Sequence, residues 1–170
     1  MGCKIFSVAV NGDIKIGVMA RPRGGDWLED DVRSIREQGF SVVVSLLTDA
    51  EQQELDLEAE GLSCEQLALT FMRLPIEDMR VPTLDEQTIA ILEKLRDLRF
   101  SGNSIVVHCR AGIGRSPMIA ACIMISPGCN VTSAFHHLSA ARGMKVPETP
   151  EQRDWAVDYE KLARASELFQ

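Results

Sequence analysis

Two unbroken runs of β-forming residues, Val42-Val43-Val44-Ser45-Leu46-Leu47 and Ser104-Ile105-Val106-Val107-His108, limit the folds open to this chain more than any other feature. A strand that is apolar at nearly every position has no face to offer water, so it belongs inside a sheet covered on both sides. Strand and helix patterns alternate around these runs from end to end, with no linker and no internal repeat. That alternation indicates one α/β domain over residues 1–170. A chain of 170 residues with 45% hydrophobic side chains can close such a core without disulfide or metal staples.

The remaining elements follow from spacing and turn chemistry. Residues 4–10 and 13–19 flank Asn11-Gly12, a hairpin turn dipeptide. Asp26 is the expected cap of a helix carrying Leu28, Val32 and Ile35 and ended by Gly39. Two short helices are expected between Asp49 and Leu69, then a strand over Thr70–Pro75. Thr83 with Glu86 reads as a capping box for a helix carrying Leu84, Ile91, Leu92, Leu95 and Leu98. Pro117–Ile125 is a helix apolar on nearly every face, stopped by Pro127-Gly128, and belongs in the middle of the fold. Val131, Phe135, Leu138 and Ala141 mark another helix, and Thr149-Pro150-Glu151-Gln152 opens a last one with Trp155, Tyr159 and Leu162. Trp27, Trp155 and Phe135 are expected in the core. Of the consecutive His136 and His137, one is expected to be partly buried and the other wet, and no shared metal is expected.

Charge and cysteine content narrow the function classes. Eighteen basic against 25 acidic side chains give a net charge of −7, which argues against an extended nucleic-acid partner and leaves only local binding of a small anion. Five cysteines, an odd number with no paired or metal-ligand spacing, indicate a reducing compartment. The start of the sequence lacks a signal-peptide run and Phe6 breaks the myristoylation pattern, and no apolar stretch is long enough to span a bilayer. The expectation is a cytoplasmic monomer with no membrane and no nucleic-acid partner.

The chemistry lies in His108-Cys109-Arg110-Ala111-Gly112-Ile113-Gly114-Arg115-Ser116, where a buried strand runs through a glycine-containing turn into a helix. Such a turn aims successive backbone N–H groups inward at the positive end of the helix dipole, a nest for a tetrahedral oxyanion. Gly112 and Gly114 permit the dihedrals and the close approach. Arg115 adds a planar fork that holds two phosphate oxygens. Cys109 then sits at the floor of the cradle, where the same positive field favours its thiolate and makes it a nucleophile. Ser116 can donate a hydrogen bond to that thiolate. A nucleotide-binding Walker loop would need lysine at Arg115, and a dinucleotide fingerprint would need glycine at Pro117.

This segment resembles the phosphate-binding signature of the cysteine-dependent protein phosphatases, and nearly the whole chain is similar to small, compact dual-specificity phosphatases. The resemblance implies a three-layer α/β fold with a central, mostly parallel mixed sheet flanked by helices. It implies Cys109 as nucleophile, Arg115 with the loop residues Arg110, Ala111, Gly112, Ile113 and Gly114 as the phosphate site, and neither metal nor cofactor. His108 would support the thiolate through hydrogen bonds without acting as a base. Family members carry a general acid on a loop about 30 residues upstream of the cysteine, which points to Asp78 in Pro75-Ile76-Glu77-Asp78-Met79-Arg80-Val81-Pro82, with Glu77 as the adjacent alternative. Gln152 is a candidate for orienting the attacking water, and equally for the capping box with Thr149. Arg21 and Arg80 are candidate substrate contacts, and the side chain of Arg110 is expected to point outward. The implied function is hydrolysis of phosphotyrosine, with phosphoserine and phosphothreonine as further substrates, on a phosphorylated protein through a cysteinyl-phosphate. The alternatives are a small phosphoester such as an inositol phosphate or nucleotide, a non-catalytic phospho-binding pseudophosphatase, and a rhodanese-type sulfurtransferase.

Overall fold

The computed structural model describes residues 2–166; Met1 and residues 167–170 of the expected 1–170 domain lie outside the described residues. Five strands form one sheet: β1 (Phe6–Asn11), β2 (Ile14–Ala20), β3 (Val42–Ser45), β4 (Thr70–Arg73) and β5 (Ile105–Cys109). Their order across the sheet is β1-β2-β5-β3-β4. The β1–β2 hairpin is antiparallel and turns at Gly12-Asp13, one residue later than the Asn11-Gly12 dipeptide suggests, because Asn11 still pairs with Ile14 at the end of β1; β2–β5, β5–β3 and β3–β4 are parallel. This is the mostly parallel mixed sheet implied by the resemblance.

The period of two along each strand divides the core. Val42, Val44, Ile105 and Val107 point into one apolar cluster and Val43 and Val106 into the other. All six are fully buried, and each contributes roughly 1.5–3 kcal/mol relative to an exposed side chain. The helices are α1 (Leu28–Glu37), α2 (Asp49–Glu54), α3 (Glu60–Gln66), α4 (Glu86–Phe100), α5 (Arg115–Met124), α6 (Val131–Arg142) and α7 (Pro150–Ala165). Side chains of α1 and α3 fill the second cluster; those of α4, α5, α6 and α7 fill the first. All ten residues of α5 are buried, as the apolar run from Pro117 requires, and the burial extends to the polar Arg115 and Ser116 of its first turn.

Several local readings change. Asp26 does not cap α1: it lies inside a 3-10 turn, Gly25–Trp27, that precedes the helix, and no side chain caps either element among the described residues. Trp27 is 57% exposed and stacks under Arg23 at 4.7 Å, because the 3-10 turn rotates it off the apolar stripe of α1. The cap of α4 is Asp85, which accepts from the Thr88 N–H at 2.9 Å, so the helix begins two residues later than a Thr83 cap requires. His136 and His137 are both exposed, with their rings edge to face at 5.9 Å, since Phe135 and Leu138 take the inward face of α6. Cys129 is half-buried, whereas Cys64 and Cys122 are fully buried; all five cysteines are free thiols.

Candidate active site

The site forms at the carboxyl ends of the parallel strands, where β5 runs into the loop and then into α5. Cys109 is the last residue of β5 and is 3% exposed. Its Sγ accepts from the Gly112 N–H at 3.3 Å, so the loop curls back over the sulfur. That curl needs φ +73° at Gly112, in the left-handed region, and a Cβ there would lie 2.6 Å from the backbone of Met19. Glycine is therefore required twice, by dihedral and by space. The N-terminus of α5 has no side-chain cap and no acidic residue in its first turn among the described residues, which leaves its positive end to a bound anion.

Arg115 is the first residue of α5 and only 1% exposed. Its Nη1 donates to Glu51 Oε2 and to the Ile76 carbonyl, both at 2.8 Å, and its Nη2 donates to Glu51 Oε1 at 2.9 Å. Nη2 also lies 3.0 Å from Asp78 Oδ1. Its Nε is buried with no protein partner among the described residues and remains a donor for a ligand oxygen. Burial alone would lower the guanidinium pKa, but the hydrogen bonds to Glu51 and the charges of Cys109, Glu51 and Asp78 raise it, so Arg115 stays cationic. For Glu51 burial works toward protonation, and the bonds from Arg115 and the Thr48 N–H outweigh it and hold the carboxyl below its usual range.

Chain beyond the strands brings Asp78 over this arginine. Leu74 N–H donates to the Ser45 carbonyl and Ile76 N–H to the Leu46 carbonyl, each at 3.0 Å, extending the pairing of β4 with β3 past its last regular residue. Ile76 then places its carbonyl on Arg115, and Asp78 follows two residues on. Met79 takes φ +63° and Arg80 N–H closes on the Glu77 carbonyl at 3.0 Å, so the segment is a tight turn. Of the two acids in it, Asp78 pairs with Arg115.

The other sequence candidates are placed as follows. His108 is fully buried, with Nε2 2.7 Å from Glu60 Oε1 of α3. Ser116 Oγ is buried behind the loop with no hydrogen-bond partner among the described residues. Arg110 points outward to Glu54 Oε1 at 2.7 Å, as its place in the loop suggests. Ala111 is exposed, Ile113 half-buried and Gly114 buried. Gln152 forms the capping box with Thr149 at 3.2 Å in both directions. Its buried Nε2 has no partner among the described residues, and its amide sits 3.0 Å from where a Gly114 Cβ would stand. The capping and loop-facing arrangements therefore coexist. Arg21 lies half-buried beside the loop, its N–H 3.4 Å from the Arg110 carbonyl, whereas Arg80 is exposed beyond Asp78.

Three residues were not singled out by sequence. Glu51 is the N3 member of a capping box with Thr48 on α2, a Thr-x-x-Glu signal visible directly after β3. Arg142, at the end of α6, reaches the Ala111 and Gly112 carbonyls at 3.4 Å each. Glu60, a fully buried carboxylate, carries no local sequence signal at all.

Comparison with known proteins bears on the fold and the family. Fold and family together define an enzyme of the dual-specificity, or protein-tyrosine, phosphatase type. Within that class the chain belongs to the Tc-R-P family, described as "Polymorphic toxin system, DSP-PTPase phosphatase", whose model matches residues 17–129. Among solved structures, a kinase-associated phosphatase (KAP) with its catalytic-site cysteine changed to serine is similar at TM-score 0.82 and 20% identity, covering 97% of this chain and 98% of that one. The active form of Tk-PTP is similar at TM-score 0.67 and 25% identity, covering 92% and 97%. PTPMT1 in complex with PI(5)P gives TM-score 0.72 and 18% identity, covering 95% and 99%. No curated protein sequence matches.

Proposed function

We propose that the chain is a phosphomonoesterase acting on phosphotyrosine in proteins, and on phosphoserine and phosphothreonine, through a cysteinyl-phosphate on Cys109. The observation that carries this reading is the meeting of three sequence-distant groups: Arg115, clamped by Glu51, stands 3.0 Å from Asp78 while its loop wraps the Cys109 sulfur. The loop N–H groups and Arg115 bind the phosphoryl oxygens and stabilise the equatorial charge of the transition state. The thiolate of Cys109 attacks phosphorus, forming an S–P bond as the P–O bond to the leaving group breaks. Asp78 gives its proton to that departing oxygen. A bound phosphate dianion competes with Asp78 for the Arg115 fork and releases the carboxyl from that ion pair. Water then attacks phosphorus, the S–P bond breaks, and the proton of the water returns to Asp78. Gln152, beside Gly114, orients that water in addition to capping α7.

Turnover of p-nitrophenyl phosphate without added metal tests the reading. The expected result is activity inhibited by vanadate and abolished in Cys109→Ser; phosphopeptide binding without turnover in the wild type would favour a pseudophosphatase. For Gln152→Ala the expected result is slower decay of the trapped phosphoenzyme. An unchanged rate leaves Gln152 as a cap alone.

A further inference from the structure

A cavity of about 330 Å³ lies at the opposite end of α5 from the Cys109 loop, between β1, the ends of α4 and α5, and the turn at residues 126–129. Met124, in its lining, is nine residues beyond Arg115 along α5, roughly 14 Å at 1.5 Å per residue. Val8, Val10 and Met124 give the cavity an apolar side, and Arg99, Cys129 and His137 a polar one. The turn that walls it is built in advance. Ser126 and Cys129 exchange backbone hydrogen bonds at 3.0 and 3.1 Å, and Arg164 donates to the carbonyls of both.

Arg99 is only 6% exposed, yet its charge has no counter-ion among the described residues. Its Nη1 donates to the Ile123 and Ile125 carbonyls at 3.3 and 3.2 Å, which caps the carboxyl end of α5. Phe100 lies against the guanidinium at 4.6 Å. Nε and Nη2 donate to no group among the described residues. A helix end carries roughly half a negative elementary charge, so capping balances only part of a full cation. Burial acts most strongly to lower the pKa of this guanidinium; the Cys129 sulfur opposes that, and the charge of Arg96 adds to it. Glu160, whose charge reaches Cys129, is already taken by Arg164 at 3.3 Å and by the Val131 N–H at 2.9 Å. A buried cation beside a second one, with the neighbouring carboxylate engaged elsewhere, is a receptor for one anion.

We infer that this cavity binds a small monocarboxylate, its anionic head on Arg99 and its short apolar body against Val8, Val10 and Met124. Nε and Nη2 form an edge of the guanidinium that matches the two oxygens of a carboxylate. One negative charge balances one arginine, whereas a phosphate dianion would leave surplus charge buried against the apolar wall. The volume is at the lower end of the range for small-molecule sites, roughly 300–1,000 Å³, and suits a body of a few carbons. The site takes no part in the phosphatase reading, and its occupancy is measured by binding alone.

Calorimetric titration of the full chain with hexanoate, with its neutral analogue hexanamide and with inorganic phosphate tests the site. Wild type is expected to bind hexanoate at least about tenfold more tightly than either of the others. Arg99→Met is expected to remove that advantage over hexanamide. Because Arg99 also caps α5, a second variant leaves it in place: at Gly128, which lines the cavity, a Cβ meets nothing within 4 Å, so Gly128→Leu fills space without a clash. It is expected to weaken hexanoate about tenfold or more, whereas Arg33→Ala, which removes an exposed cation elsewhere, is expected to bind like wild type. No hexanoate binding by the wild type, equal binding of hexanamide, or native affinity in Gly128→Leu overturns the site. Arg99-dependent binding of phosphate that is tighter than that of hexanoate overturns the choice of ligand.

Discussion

Around Cys109 the strand end and the start of the helix are buried, with Cys109 3% and Arg115 1% exposed, whereas the loop carrying Asp78 leaves 59% of that side chain and 51% of Met79 open to solvent. The first region is held by redundant contacts. Arg115 has two ligands on Glu51 and a third on the Ile76 carbonyl, Gly112 presses on the backbone of β2, and Arg142 holds the loop from outside. The second region is anchored at its root by Ile76, whose carbonyl accepts from Arg115, and Asp78 meets the first through its ion pair with the same arginine. Phosphate binding demands donors fixed before the charge arrives, because reorganising them would cost the transition state its stabilisation. Proton donation to leaving groups of different shape tolerates, and uses, a segment that is cheap to displace.

The largest effect should come from breaking the closed region at its tightest point. Gly112→Ala combines a left-handed φ with a Cβ 2.6 Å from the Met19 backbone and 2.8 Å from the Ala20 nitrogen. A loss of about 2–3 kcal/mol in thermal unfolding is expected, with inhibition by vanadate weakened more than about 100-fold. Native affinity for vanadate in this variant would show that the loop is not rigid.

Glu51→Gln comes next. It keeps a hydrogen-bonding shape but removes the buried carboxylate partner of Arg115 and leaves the exposed Asp78 to balance that charge, and kcat/KM is expected to fall about 100-fold. Its effect on stability has a definite pH signature. Because the folded carboxyl of Glu51 is held below its usual value of 4.5, its contribution is fully present above that pH and is lost as pH falls through the folded value. Urea midpoints measured from neutrality downward should therefore decline less steeply for Glu51→Gln than for wild type; parallel curves would remove Glu51 from the clamp.

The smallest effect belongs to the open region. Met79 pays for a left-handed φ of +63° that glycine adopts freely, while glycine adds loop freedom in the unfolded chain. Met79→Gly is expected to change stability by less than about 1 kcal/mol and turnover only a few-fold. A loss as large as that of Gly112→Ala would erase the distinction between the two regions.

The same contrast governs what the sequence discloses. The cradle is local: His108 to Ser116 is one continuous strand-turn-helix, so its spacing, its glycines and its arginine can be read directly. The parallel strands β3 and β5 are legible because burial on both faces leaves continuous runs of β-branched residues, with polar positions only near the strand ends at Ser45 and His108. Asp78 was reached through the family resemblance, since nothing in the residues around it specifies that the turn folds over Arg115. Glu60 and Arg142 were missed for a related reason. Each acts on the site from a different element, across 48 and about 30 residues of chain, and a lone Glu or Arg on a helix looks like a solvated side chain until the fold pairs it. Caps were misplaced by one or two residues where acids and hydroxyls cluster: Asp85 competes with Thr83, and the 3-10 turn before α1 displaced Asp26 and Trp27 together.

The proposed division of labour between a fixed cradle that makes and breaks the S–P bond and a displaceable aspartate that protonates the leaving oxygen is tested most directly by leaving-group dependence. In Asp78→Asn, kcat/KM for alkyl phosphates and poorly acidic phenols is expected to fall about 10³-fold, while strongly acidic phenols, which leave without a proton, lose less than about tenfold. An equal loss on both classes of ester would contradict the assignment of Asp78 and the account built on it.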